Sequence, residues 1–275
     1  MKICKTIAAF RAARAELPRL GVVPTMGFLH EGHLSLVRRA KADCGSAAAT
    51  IFVNPTQFGP HEDYGRYPRA LPHDLELLES AGTGLVFVPD VPEIYPNGFD
   101  ARIDIGGVTQ RLEGEFRPGH FTGVATICAK LFNITQPSKV YFGQKDAQQC
   151  VMVQKMVRDL NFPCEVVVCP TVREADGLAM SSRNAYLTPS QRAHASKLYR
   201  ALQSARLRYT EGDRDAETLR SLVHERLAYV PEAKIDYVSI ADPESLEELD
   251  QARAGALVLT AVHLGATRLI DNIQL

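Results

Sequence analysis

The sequence predicts an α/β protein: a doubly wound parallel sheet with helices on both faces, followed by a smaller C-terminal α+β domain. Three observations predict it. As far as Cys169, strand-like and helix-like stretches alternate along the chain, the pattern of strands joined by crossover helices. Ala47–Asn54, "AAATIFVN", is an unbroken apolar run ended by Pro55, which suits a strand buried on both faces. After "ADGLAMSSRNAYLTPSQ" the order changes to helices followed by strands, the last two joined by a hairpin-like "LGA". The boundary falls near the "SSRN" loop, giving a Rossmann-like domain over 1–176 and a smaller one over 177–275.

The elements follow in order. Gly21–Met26 reads as a short buried strand and Leu34–Ala42 as the helix after it. Ala47–Asn54 is the next strand. Asp74–Ser80 reads as a helix closed by Gly82, and Leu85–Val88 as a strand. His120–Thr135 carries a long helical pattern. Val140–Phe142 is a short strand, Ala147–Leu160 its helix, and Glu165–Cys169, "EVVVC", the last strand of the series. In the second domain Pro189 opens a helix with Thr188 as its cap. Ala195, Leu198, Tyr199 and Leu202 then recur at helical spacing. A helix over Ala216–Ala228 precedes strands at Ile235–Ile240, Ala256–His263 and Thr267–Asn272. Ligands of such sheets sit beyond the carboxyl ends of the strands.

Composition narrows the function classes. The chain has 275 residues, 45% of them hydrophobic, and a formal net charge of -1. No broad basic field is present to hold nucleic acid or a membrane surface. No apolar run is long enough to cross a bilayer. Six cysteines form no C-x-x-C pair, and no secretory signal opens the chain, so a reducing cytoplasm is expected.

The chemistry begins in "PTMGFLHEGH", where a strand turns into a helix. The first N–H groups of a helix lack internal partners, and its dipole favours negative charge there. Gly32 would let a ligand approach the backbone, and His30 and His33, three residues apart, would lie on one helical face. Imidazoles so placed can donate to phosphate oxygens, a recipe for gripping a triphosphate. Two other readings stand beside it. The histidines would be surface or capping residues, or zinc ligands, although the spacing is not H-E-x-x-H and no third ligand stands out.

This stretch resembles the signature of the pantothenate synthetase family, which carries the H-x-G-H motif of the nucleotidyltransferase superfamily. The resemblance continues, in order, through "IFVNPTQFGPHEDYGRYPR", "LEGEFRPGHFTGVATICAKLFNITQP", "VYFGQKDAQQ" and "DGLAMSSRNAYL". It implies an ATP-dependent joining of (R)-pantoate to β-alanine through a pantoyl-adenylate, with release of AMP and pyrophosphate. The first domain would bind ATP and pantoate, and either the second domain or the loop between Gly59 and Arg69 would close over them. ATP with Mg²⁺ is the implied co-substrate, no prosthetic group is implied, and a homodimer is expected.

The remaining motifs make chemical sense for that reaction. "FGQKD" follows the strand "VYF", at the carboxyl edge of the sheet. A lysine there neutralises an α-phosphate under attack, and a carboxylate binds ribose hydroxyls; read alone, the segment is a surface turn. By resemblance Lys145 takes the first role, and Gly143 and Asp146 contact the nucleoside. Gln144 lies in the same ATP-binding stretch, but the family usually has glutamate there. In "MSSRN", Arg183 can bind phosphate oxygens bidentately and Ser181 and Ser182 can donate to the same anion; in isolation this is a linker. The resemblance makes Met180–Arg183 a mobile second ATP motif, has the Val172 backbone read adenine, and adds Met26 and Gly27 to the nucleotide contacts. Gln57 and Gln149 match pantoate-binding positions together with Met26, and Gln57 also contacts β-alanine. An amide holds a carboxylate nucleophile without the ground-state stabilisation of an ion pair. His33, His30, Lys145 and Arg183 would be catalytic, His33 as proton donor or charge stabiliser. Asp74, in "YPRALPHDLELL", is the candidate Mg²⁺ ligand, with a helix N-cap as the alternative.

Two other functions remain open at this stage. A nucleotidyltransferase acting on a phosphorylated substrate would need further basic residues, and a non-catalytic nucleotide sensor would need no acid pocket. An aminoacyl-tRNA synthetase is disfavoured by the short chain.

Overall fold

The computed structural model describes residues 1–275. In chain order the first part contains β1 (Lys2–Cys4), α1 (Ile7–Arg14), β2 (Gly21–Thr25), α2 (Glu31–Cys44), β3 (Ala47–Ile51), α3 (Leu71–Ser80) and β4 (Leu85–Phe87). Two single turns follow, α4 (Val91–Ile94) and α5 (Glu113–Phe116), then α6 (His120–Thr135), β5 (Lys139–Gly143), α7 (Ala147–Asp159) and β6 (Glu165–Cys169). The six strands form one parallel sheet in the order β1-β4-β3-β2-β5-β6. The winding direction reverses between β2 and β5. These two strands pair only through Gly21–Lys139 and Val22–Val140, so they part towards their carboxyl ends. That opening is the crevice in which an open α/β sheet binds its ligand.

Most expected elements are present, and α2 and α3 start earlier than expected. α2 begins at Glu31, three residues before its apolar repeat, because its first turn is polar. α3 begins at Leu71, with Pro72 in its first turn, where a missing N–H costs nothing. β1 and α1 were not expected. A three-residue edge strand is too short to show a period, while α1 is anchored by the Thr6 hydroxyl accepting the Ala9 N–H at 3.2 Å.

The second part contains α8 (Pro189–Ala195), α9 (Lys197–Thr210), α10 (Ala216–Ala228), β7 (Ala233–Ala241), β8 (Leu257–Leu264) and β9 (Thr267–Gln274). The single expected helix after Pro189 is broken at Ser196, yet Ala195, Leu198 and Leu202 still face one core. Thr188 caps α8 through a reciprocal pair with Gln191. The three strands form an antiparallel sheet, β7-β8-β9, and Gly265 supplies the positive φ of the two-residue β8–β9 turn. One face of this sheet lies under helices, and the other meets the parallel-sheet domain, with His263, Arg268 and Ile270 lining an open cavity between them. Val258 and Val262 pack under α9 and α10, while Leu257 and Leu259 join the core of the parallel-sheet domain with Phe121 and Ile127. The antiparallel sheet is therefore cemented to its neighbour by apolar packing. No helix is long and apolar enough to cross a membrane.

Candidate active site

The carboxyl ends of β2 and β5 meet the loops after β3 and β6 in one cleft of 1360 Å³. Each segment enters for a local reason.

The turn after β2 is held open by backbone conformation. Gly27 and Phe28 both have positive φ, 81° and 50°. The N–H groups of Phe28 and Leu29 then converge on the Asp74 carboxylate, at 2.9 and 2.7 Å. Asp74 is only 1% exposed. Each of its oxygens accepts one backbone N–H, it lies inside α3 and not at its N-cap, and it is outside the cleft lining. No group of three or more His, Cys, Asp or Glu side chains is arranged to hold a metal, and the zinc reading of the histidines finds no support.

The two histidines are themselves the cap of α2. His30 is the N-cap rather than a helical residue, so the pair does not simply share a helical face. His30 Nδ1 accepts the Gly32 N–H at 3.2 Å, and His33 Nδ1 accepts the His30 N–H at 3.3 Å. The rings lie 4.1 Å apart. A ring whose Nδ1 accepts must carry its proton on Nε2 when neutral. Both are neutral: burial, with Lys145 nearby, lowers His30 to about 4, and burial with His30 and Lys145 as neighbours holds His33 well below the ordinary value. Each therefore offers one uncharged Nε2–H donor. Gly32 has an unexpected reason: a Cβ there would meet the His30 ring at 2.9 Å. It makes room for the imidazole.

Lys145 and Asp146 reach the cleft from the turn after β5, 3.4 Å apart. Gly143 lines the cleft beside them. Gln144 does not; its amide points to Asn272. Of the two glutamines on α7, Gln148 is buried against Val108 and Arg111, donating to both carbonyls at 2.7 Å. Gln149 is the one that lines the cleft.

Gln57 follows β3 and is oriented by Asn54, which is 1% exposed. Asn54 Nδ2 donates to Gln57 Oε1 at 3.0 Å and to the Gly123 carbonyl at 3.2 Å. The Gln57 oxygen is thereby used, and its Nε2 donors face the cleft, touching Met26 Sδ at 3.1 Å. The Gln57 carbonyl accepts from His120 Nδ1 at 2.8 Å. Arg117 Nη1 lies 3.0 Å from His120 Nε2 and its other nitrogens pair with Glu62 at 2.7 Å. Burial, then Arg117, lowers His120 to about 4. Asn54, Arg117 and His120 were missed, although all three lie in the quoted stretches; their role is a contact between segments distant in sequence.

The last wall is the segment after β6. Val172 and Met180 line it, with the Val172 carbonyl accepting the Met180 N–H at 3.0 Å. Ser181 Oγ accepts the Arg183 N–H, and Ser182 Oγ donates to the Phe28 carbonyl at 3.1 Å. The Arg183 guanidinium makes a forked pair with Asp63, at 3.1 and 3.0 Å. Of the expected site residues, only Gly27, Gln144 and Asp74 fall outside the lining.

A parallel sheet open at its switch point, a helix start with two neutral imidazole donors, and a lysine and an arginine beside it define a class: a nucleotide-binding α/β protein that works on phosphate. The pantoate-beta-alanine ligase family model matches residues 2–274, and the chain belongs to that family. It is 59% identical over 274 residues to the pantothenate synthetase of Herpetosiphon aurantiacus, covering 99% of each chain. It is similar to the crystal structure of pantothenate synthetase from Thermus thermophilus, with a TM-score of 0.96 at 50% identity, over 100% of this chain and 99% of that one. A second structure, a pantoate-beta-alanine ligase from Francisella tularensis complexed with beta-gamma ATP and β-alanine, gives a TM-score of 0.83 at 35% identity, over 100% of this chain and 97% of that one.

Proposed function

We propose that the chain condenses (R)-pantoate with β-alanine at the cost of ATP, through a pantoyl-adenylate, and that the residues converging on the cleft carry both half-reactions. The observation that supports this is the meeting of the histidine turn, the lysine turn and the serine–arginine segment in one cleft that also contains two amides.

In the first step the pantoate carboxylate attacks the α-phosphorus in line and pyrophosphate leaves. Positioning and charge stabilisation do most of the work in such transfers. His30 and His33 donate from Nε2 to the phosphates, and Lys145 and Arg183 supply positive charge. Ser181 and Ser182 lie beside them, and the Val172 backbone reads adenine. Gln57, aimed by Asn54, and Gln149 hold pantoate next to Met26. Because His33 is neutral, its role is charge stabilisation by a hydrogen bond rather than proton donation from an imidazolium. In the second step the β-alanine amine attacks the acyl carbon and AMP leaves. Mg²⁺ enters as part of Mg·ATP, since the protein offers no cage for it and Mg²⁺ keeps waters and phosphates as its main ligands.

The domain limits 1–176 and 177–275 are retained as our division. The loop between Gly59 and Arg69, rather than the apolar-cemented second domain, is the closing element that shields the mixed anhydride from water. A cytoplasmic setting agrees with six free cysteines, and a homodimer is the expected state, to be read by sedimentation equilibrium. Function is tested by AMP release: it must require both pantoate and β-alanine. ATP binding without turnover would instead make the protein a sensor. His33→Ala must slow single-turnover adenylate formation by about 10²–10³-fold; the parent rate would remove His33 from the mechanism.

A further inference from the structure

The turn that carries Lys145, Gln144–Asp146, has no capping side chain of its own. Its support comes from the far end of the chain. The Asn272 carboxamide, on β9, donates one N–H to the Gln144 carbonyl and the other to the Lys145 carbonyl, both at 2.9 Å. Its oxygen accepts from Gln144 Nε2 at 3.2 Å. These two carbonyls belong to the peptide planes on either side of the Lys145 Cα. Fixing both planes fixes φ and ψ at Lys145 and with them the direction in which its side chain leaves the backbone. Asn272 is 3% exposed.

The amide is mounted rigidly. The Asn272 N–H donates to Asp271 Oδ1 at 2.8 Å. Asp271 also holds Arg173 in a forked pair at 2.7 and 2.9 Å, and Arg173 returns a bond to the Asn272 carbonyl at 3.2 Å. The Arg173 guanidinium lies 3.7 Å over the Tyr199 ring. We propose that Asn272 is a positioning residue for catalysis: through this amide the C-terminal sheet holds the backbone on both sides of Lys145 and aims its side chain at the α-phosphate. The proposal rests on the reading of Lys145 as the group that meets the phosphate. Gln144, which has glutamine in place of the usual acid, acts here as the partner of Asn272 and not as a nucleotide ligand.

A residue that merely joined two domains would matter equally whatever side chain stood at 145. A residue that acts through Lys145 would not. The test is a double-mutant cycle on the full chain, reading single-turnover formation of pantoyl-adenylate. Lys145→Ala is expected to slow it by about 10²–10³-fold. Asn272→Ala is expected to slow the parent by about 10- to 100-fold, yet to slow the Lys145→Ala protein by less than about twofold, within the error of such cycles. Gln144→Ala removes only the amide–amide bond, leaves the two carbonyls satisfied, and is expected to slow the parent about fivefold; it carries the same cycle if Asn272→Ala does not fold. Equal losses in both backgrounds, or the parent rate in Asn272→Ala, overturn the positioning role alone. The parent rate in Lys145→Ala overturns the reading of Lys145 and this proposal with it.

Discussion

Asp74 separates a structural from a metal-binding role by measurement. Its carboxylate is 1% exposed and receives the N–H groups of Phe28 and Leu29 at 2.9 and 2.7 Å. Asp74→Ala leaves both donors buried and unpaired. Each such orphan costs about 1–3 kcal/mol, so the variant loses about 2–6 kcal/mol. For a chain of this size that lowers the melting midpoint by roughly 5–15 °C. Asp74→Asn keeps one acceptor and turns an NH₂ towards the other donor, so its loss is about half. The same turn carries the histidine cap, so adenylate formation also falls. The Mg²⁺ concentration for half-maximal rate, however, stays at the parent value. Calorimetry and a Mg²⁺ titration of the adenylation rate supply the two readings. A melting midpoint within about 1 °C of the parent, joined to a tenfold rise in the Mg²⁺ requirement, would refute the reasoning and restore Asp74 as a metal ligand.

Two further outcomes follow from the histidine cap. Gly32→Ala improves helix propensity by up to about 1 kcal/mol, but its Cβ would lie 2.9 Å from His30 Nδ1 and Cε1. Displacing that ring also forfeits the cap bond to the Gly32 N–H, a loss of about 0.5–2 kcal/mol that offsets the propensity gain, so the melting midpoint is expected to move by only a few degrees while adenylate formation drops about 10- to 100-fold; the parent rate would show that the His30 ring position is unimportant. The second outcome concerns pH. His30 and His120 both titrate at about 4 in the folded protein, each chiefly because of burial, against about 6.5 in an unfolded chain. Between those values the unfolded chain binds protons that the folded one refuses, so stability is full above about 6.5 and declines as pH falls towards about 4. Urea unfolding at a series of pH values should show this decline, and a flat profile from 6.5 to 4.5 would contradict the lowered values of His30 and His120.

How much of this was legible depends on the range of the interaction concerned. Buried strands such as Ala47–Ile51 and the long helix His120–Thr135 announce themselves because their burial is periodic or continuous in sequence. The site was legible because its chemistry is concentrated in short stretches at strand ends. The same stretches concealed what supports them. "HEGH" suggests phosphate donors, but not that His30 and His33 cap the helix through Nδ1 and so fix which nitrogen faces the ligand. "NPTQF" offers Gln57, while the reason its amide points the right way is Asn54, packed on Gly123 of α6. A Cβ at Gly123 would come within 2.3 Å of the Thr56 carbonyl, a constraint that no local pattern carries. An acid near a phosphate site suggests a metal ligand, and the backbone N–H groups of Phe28 and Leu29 that Asp74 receives give no local signal in the sequence. Asn272 pairs with a turn 127 residues upstream at Lys145 and gives no signal at all in a single sequence.

The charges around the cleft are arranged to meet two opposed demands. The phosphates need cations, whereas a carboxylate nucleophile is blunted by them. Where we place the acid, the donors are the neutral amides of Gln57 and Gln149. Arg117, the cation beside Gln57, is neutralised by the forked pair with Glu62. Where we place the phosphates, Lys145 and Arg183 stand. Arg183 is not idle in this state, since Asp63 fills its fork. Despite its burial, Asp63 is held below the ordinary carboxylate value, mainly by that guanidinium. A phosphate arriving at Arg183 therefore exchanges one anion for another, and the ground-state gain is the difference between two similar pairs. Only an anion with more charge, or better shaped for the fork, than a carboxylate gains from the exchange. On our placement of the nucleotide, the triphosphate meets that condition, since it carries more charge than the Asp63 carboxylate and suits the guanidinium fork, and ATP would take Arg183 from Asp63 as it binds.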